Sequence, residues 1–118
     1  MPTTSTNNLN ITVLRSKLLQ GVGVVSGSVG SDSSHLSVLR SLLLRADLGG
    51  VSLTTTDLEV LTEYSFACKV SSPGALAIPF QVFSGVVKNL KSERLTLTQD
   101  GLTLNILADN YEAKIYGQ

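Results

Sequence analysis

A chain of 118 residues, 42% apolar and 15% charged, is long enough for one domain around a single core and too apolar for disorder. Nine basic and nine acidic residues cancel, so any pull toward nucleic acid or membrane must come from how the charges are placed. A lone Cys68 and a lone His35 exclude an internal disulfide and a Cys/His metal cluster. A reducing, cytoplasmic setting is the default, and no apolar run reaches the ~18 residues of a membrane span.

Met1–Asn8, rich in Thr, Ser and Asn, reads as a disordered N-terminal segment rather than a signal peptide, leaving residues 9–118 for the domain. Leu9, Ile11 and Val13 alternate with polar residues, which predicts a strand. From Leu14 to Val25 the period becomes helical, with Leu14, Leu18, Leu19, Val22 and Val25 on one stripe. Gly21, Gly23 and Gly27 imitate a nucleotide-binding glycine loop. That loop must sit directly at a strand-to-helix turn, and here a helical stretch intervenes.

Ser26–Ser34 reads as a loop, Leu36–Asp47 as a strand and Leu48-Gly49-Gly50 as a turn. Val51–Thr56 and Leu58–Val70 give two more strands around a break at Asp57, with Cys68 on the Tyr64/Phe66 side as a small core residue. Ser71-Ser72-Pro73-Gly74 is a turn that halves the chain.

The second half repeats the grammar of the first. A short strand at Ala75–Ile78 leads to Pro79, suited to a helix start, and Phe80, Phe83, Val86, Val87 and Leu90 fall on one helical face. Gln81, Ser84, Lys88 and Lys91 occupy the other face, the two lysines placed in the last turn. Alternating Leu95/Leu97 and Leu102/Leu104/Ile106 predict two strands joined by an Asp100-Gly101 hairpin turn. Asp109-Asn110 then turns into a last strand at Tyr111–Tyr116. Two β-α-β-β-β units in one domain predict an α+β fold with both helices on one face of antiparallel sheets.

The charges are sorted along this pattern. The helices carry only cations, Arg15 and Lys17 in the first and Lys88 and Lys91 in the second, while all nine acids fall outside them. A basic helical layer suits a polyanion held through its phosphates, without sequence reading. Catalysis finds little support. His35 lies in a polar loop, Asp57 sits at a turn, and no nucleophile–base pair occurs at usable spacing. A non-catalytic interaction module, pairing through strand edges at Asn110–Tyr116 or Glu59–Lys69, is the alternative reading.

Several segments together resemble a known family. Val51–Glu59, around a Thr56-Asp57-Leu58-Glu59 core, is similar to a strand-to-strand signature in the N-terminal domain of the bacterial DNA polymerase III β subunit, the sliding clamp. Leu9–Leu19, Leu39–Leu44 and Gly74–Leu90 support the resemblance by order and spacing, and it covers about Leu9 to Gly117. It implies a DNA-clamp fold and a non-catalytic processivity factor without cofactors. Such clamps are head-to-tail homodimers of three-domain subunits that encircle duplex DNA with their helices facing it.

Lys88 matches a basic position of the family's second helix. Arg15, Lys17, Gln20, Gln81, Lys88 and Lys91 are accordingly expected toward DNA, and Tyr111, Ala113 and Ile115 toward a partner subunit. This chain would be the first of the three domains, with DNA polymerase III and the clamp loader engaged through later ones. Gln81 and Val82 stand where the family often has basic residues, Ser31–His35 where it commonly presents an arginine, and Ala113 where it often has a large apolar residue. DNA contact and subunit interface are therefore expected to be weaker or differently placed.

Overall fold

Burial alternates along the strands as their sequence alternates. The computed structural model describes residues 8–29 and 37–117; the frayed start expected at the N-terminus and the His35 loop lie almost wholly outside them. In β1 (Asn10–Leu14) Ile11 and Val13 are buried between exposed Asn10 and Leu14, and the strand passes without a linker into α1 (Arg15–Val25). A 3-10 turn at Ser26–Ser28 follows, and another at Ser37–Arg40 precedes β2 (Ser41–Asp47). Then come β3 (Gly50–Thr56), β4 (Leu61–Ala67), β5 (Lys69–Ser72) and β6 (Gly74–Pro79). The chain finishes with α2 (Phe80–Asn89), β7 (Arg94–Asp100), β8 (Thr103–Ala108) and β9 (Tyr111–Tyr116).

Several boundaries differ from the sequence expectation, each for a pairing reason. The strand expected over Leu36–Asp47 begins only at Ser41, which faces Pro79 in the ladder to β6. Pro79 has no N–H and ends β6, so the chain before Ser41 has no partner there and turns instead. The strand expected over Leu58–Val70 is two strands in two sheets. β4 follows β3 until Ala67 meets Gly50, the first residue of β3, and past Cys68 β5 pairs with β1 at Lys69–Thr12 and Val70–Ile11. Alternation runs unbroken through Cys68, so the switch leaves no mark in the sequence.

In the β7–β8 hairpin Asp100 pairs with Thr103, so the loop is Gly101-Leu102 rather than Asp100-Gly101. Gly101 has φ +64°, the positive value a tight hairpin asks of its first central residue.

All strand pairs are antiparallel, in a five-stranded sheet β5-β1-β7-β8-β9 and a four-stranded sheet β4-β3-β2-β6. With β5 added, the first half is β1-α1-β2-β3-β4-β5 and the second β6-α2-β7-β8-β9, and the two units exchange their first strands: β1 joins the meander of the second unit and β6 that of the first. Neither meander is completed by its own unit, so both units share one core.

That core runs from Ile11, Val13, Leu95, Leu97, Leu104 and Ile106 on one sheet to Leu42, Leu44, Leu53 and Ile78 on the other. The helices close it with Leu18, Val22, Val25, Phe80, Phe83 and Val87. α1 lies over β3 and β4, α2 reaches β6 and β9, and the two helices touch. On the outward face of the larger sheet Ser72, Asn10, Thr98, Asn105 and Lys114 form one polar row across all five strands.

Candidate nucleic-acid interface

α1 begins immediately after β1 because the sequence changes period there, and its stripe of Leu18, Gly21, Val22 and Val25 turns inward. The outward residues are Ser16, Lys17, Gln20, Gly23 and Val24. α2 buries Phe80, Phe83, Ser84 and Val87 and exposes Gln81, Val82, Lys88 and Asn89. Ser84, expected outside, is 5% exposed and belongs to the packed side. Side by side, the two helices form one layer whose exposed residues are cationic or neutral.

Four of the six residues expected to face DNA lie exposed on these helices: Lys17, Gln20, Gln81 and Lys88. Lys91 is exposed but sits beyond the end of α2, because Leu90 leaves the helix with φ −75° and ψ 148°. Arg15 is half-buried and otherwise engaged. Its Nε donates to the Val87 carbonyl and its Nη2 to the Lys88 carbonyl, both at 2.9 Å. These are two of the last carbonyls of α2, which have no partner inside the helix, and a cation there also complements the helix dipole. Arg15 thus binds the start of one helix to the end of the other, a role that sequence spacing hid because the residues lie more than seventy positions apart.

Glu93 completes the junction. Its carbonyl accepts the Arg15 N–H at 2.6 Å and its carboxylate accepts the Ser16 hydroxyl at 2.7 Å. An anion at the first turn of α1 favours the helix, and it places one acid at the rim of the basic layer. At the far end of α1 the buried Thr55 hydroxyl donates to the Val25 carbonyl at 2.7 Å.

The Thr56-Asp57-Leu58-Glu59 core of the signature is the β3–β4 loop. Asp57 Oδ1 accepts the N–H groups of Glu59 at 3.0 Å and Val60 at 2.8 Å, while Thr56 Oγ1 accepts that of Leu58 at 3.1 Å. These bonds hold Leu58 at φ +80°, a conformation a bulky side chain adopts only under constraint. The motif is a turn-forming device, and Asp57 and Glu59 do not share a strand face. The Val60 and Glu59 amides hold the Asp57 carboxyl below its ordinary value of 3.8. Its stabilising bonds are therefore present above that value and lost as pH falls through the lowered one. Asp57→Ala is expected to destabilise the domain at neutral pH, and the gap from the parent to shrink in denaturant titrations run progressively below pH 3.8. A gap constant down to pH 2 would rule this out.

Of the residues expected at a subunit interface, Tyr111 is exposed, Ala113 is half-buried and Ile115 is 2% exposed, inside this chain's own core. The Ile115 side chain is therefore unavailable to a partner; what β9 offers is its backbone edge. β9 and β4 are both outer strands of their sheets, as the sequence pattern anticipates, and β5 and β6 are the other two. Among the described residues no group of three or more His, Cys, Asp or Glu is placed to hold a metal ion, and no helix is long and apolar enough to cross a membrane.

Two interlocked β-α-β-β-β units with a paired helical layer across antiparallel sheets define a domain of the DNA-clamp class. Solved structures share this fold. The Bacillus subtilis DNA polymerase sliding clamp matches with a TM-score of 0.89 at 20% identity, over 96% of this chain and 32% of that one. The Pseudomonas aeruginosa clamp matches with 0.84 at 24% identity, over 93% and 30%. The model of the DNA polymerase III beta subunit N-terminal domain matches residues 9–117, and the chain belongs to that family. The beta sliding clamp of Synechococcus elongatus is 30% identical over 105 residues, covering 85% of this chain. The chain spans 28% of the length of that relative.

Proposed function

We propose that this chain serves as the DNA-facing first domain of a ring-shaped sliding clamp. In this reading it holds duplex DNA through phosphates without reading sequence and so helps tether DNA polymerase III in the cytoplasm. The observation that carries the proposal is the α1–α2 layer, which exposes Lys17 and Lys88 with Gln20 and Gln81 and no acid on either helix. Lys91 extends the layer past the end of α2. The ring would be a head-to-tail homodimer, its joints made through sheet edges such as β9, with polymerase and clamp loader bound by domains other than this one.

With Lys17, Lys88 and Lys91 as phosphate contacts, binding of this chain to a duplex should be weak. Its log affinity should fall with log salt at a slope of about −3, from ~0.9 per contact. Fluorescence anisotropy on duplexes of unrelated sequence should give the same slope, and the Lys88→Ala, Lys91→Ala double substitution should reduce it to about −1. A slope untouched by that substitution, or a strong preference for one sequence, would remove the helix layer from the account.

A further inference from the structure

A second basic feature lies on the outer face of the five-stranded sheet, where β1 runs into α1. An open cleft of about 640 Å³ is lined by Thr12, Leu14, Lys17, Cys68, Lys69, Arg94 and Thr96, among others, and by no acid. Pairing assembles it: Lys69 faces Thr12 across β5–β1, and Thr96 and Arg94 face Thr12 and Leu14 across β1–β7. The three cations come from residues 17, 69 and 94, so only the exchange of strands between the units brings them together. All three are exposed, and none is engaged by a carboxylate among the described residues.

We propose that this cleft, which shares Lys17 with the α1–α2 layer and otherwise lies beyond it, binds a phosphate-bearing ligand. Two ammonium groups and one guanidinium around a concavity, with the Thr12 and Thr96 hydroxyls beside them, suit a small anion carrying several charges and several acceptor oxygens. A diphosphate or triphosphate has that chemistry, whether free or as consecutive phosphates of a nucleic-acid backbone. No aromatic ring lines the cleft, so charge recognises the ligand and base stacking does not.

Isothermal titration calorimetry follows binding of tripolyphosphate and, separately, of a duplex oligonucleotide, each at ionic strength matched with chloride. Tripolyphosphate is expected to bind, to weaken at least threefold in Lys69→Gln, Arg94→Gln, and to be unchanged in Lys88→Gln. Arg94→Gln alone is the second variant should the double substitution perturb the fold, which circular dichroism reports. Binding of tripolyphosphate alone assigns the site to free oligophosphates; duplex binding weakened by the same cleft variant assigns it to backbone phosphates. No tripolyphosphate binding above the chloride background, or binding unchanged by both cleft variants, overturns the proposal. Either result leaves the helix-layer reading standing, because Lys69 and Arg94 lie outside that layer and Lys88 is tested separately.

Discussion

Gly21→Val is expected to lower the stability of the domain by about 3 kcal/mol, the upper end of what overpacking a filled core costs. A Cβ at Gly21 would stand 2.6 Å from Leu53 Cδ1 and 3.0 Å from Tyr64 Cδ2, so α1 sits on β3 and β4 at a distance only a missing side chain permits. Leu53 is fully buried, so its side chain can move only by repacking the core around it, and a β-branched residue adds its own rotamer conflict in a helix. Gly23, two residues on, provides the contrast. It is exposed, and a Cβ there meets nothing within 4 Å. Gly23→Ala should therefore stabilise by about 1 kcal/mol, the ordinary helix preference of alanine over glycine. Urea unfolding of the three proteins measures both differences, and a Gly21→Val protein within 0.5 kcal/mol of the parent would show that α1 does not pack as described.

Arg15→Ala is expected to cost about 2–3 kcal/mol, since it removes two charge-assisted hydrogen bonds and strands two carbonyls at the end of α2. Arg15→Lys keeps the charge but not the fork that reaches Val87 and Lys88 together, and should recover about half. Lys88→Ala should shift stability by less than about 0.5 kcal/mol, as an exposed substitution away from packed features does. The pair separates two kinds of cation on one layer, one holding the helices together and one free for a phosphate. Equal, small effects at both positions would mean that Arg15 is a surface cation like its neighbour.

The strands around Ile11, Leu53, Leu97 and Ile106 were legible because one face of each is buried and the period of two follows. Both helices were legible from the same rule at period 3.6. What stayed hidden depends on partners distant in sequence. The switch of sheets at Cys68 follows from where β3 begins, not from any change in alternation. The role of Arg15 depends on the exit of α2, and the cleft of Lys17, Lys69 and Arg94 on three elements meeting. The Asp57 loop lay in between: its residue types announced a turn, while the positive φ of Leu58 followed only from the bonds around it. The lysines proposed to face DNA were legible as charges but not as geometry: Lys91 falls outside its helix, and Ile115, expected at an interface, lies inside the core.

The central claim is that the α1–α2 layer is the surface this chain turns toward DNA. Amide chemical-shift mapping of the chain, titrated with a duplex oligonucleotide at low salt, tests it most directly, because it detects weak binding residue by residue. The account predicts shifts concentrated at Lys17, Gln20, Gln81, Lys88 and Lys91, fading as salt rises. Shifts confined to the β4 and β9 edges or the outer sheet faces, with the helix layer silent, would contradict it.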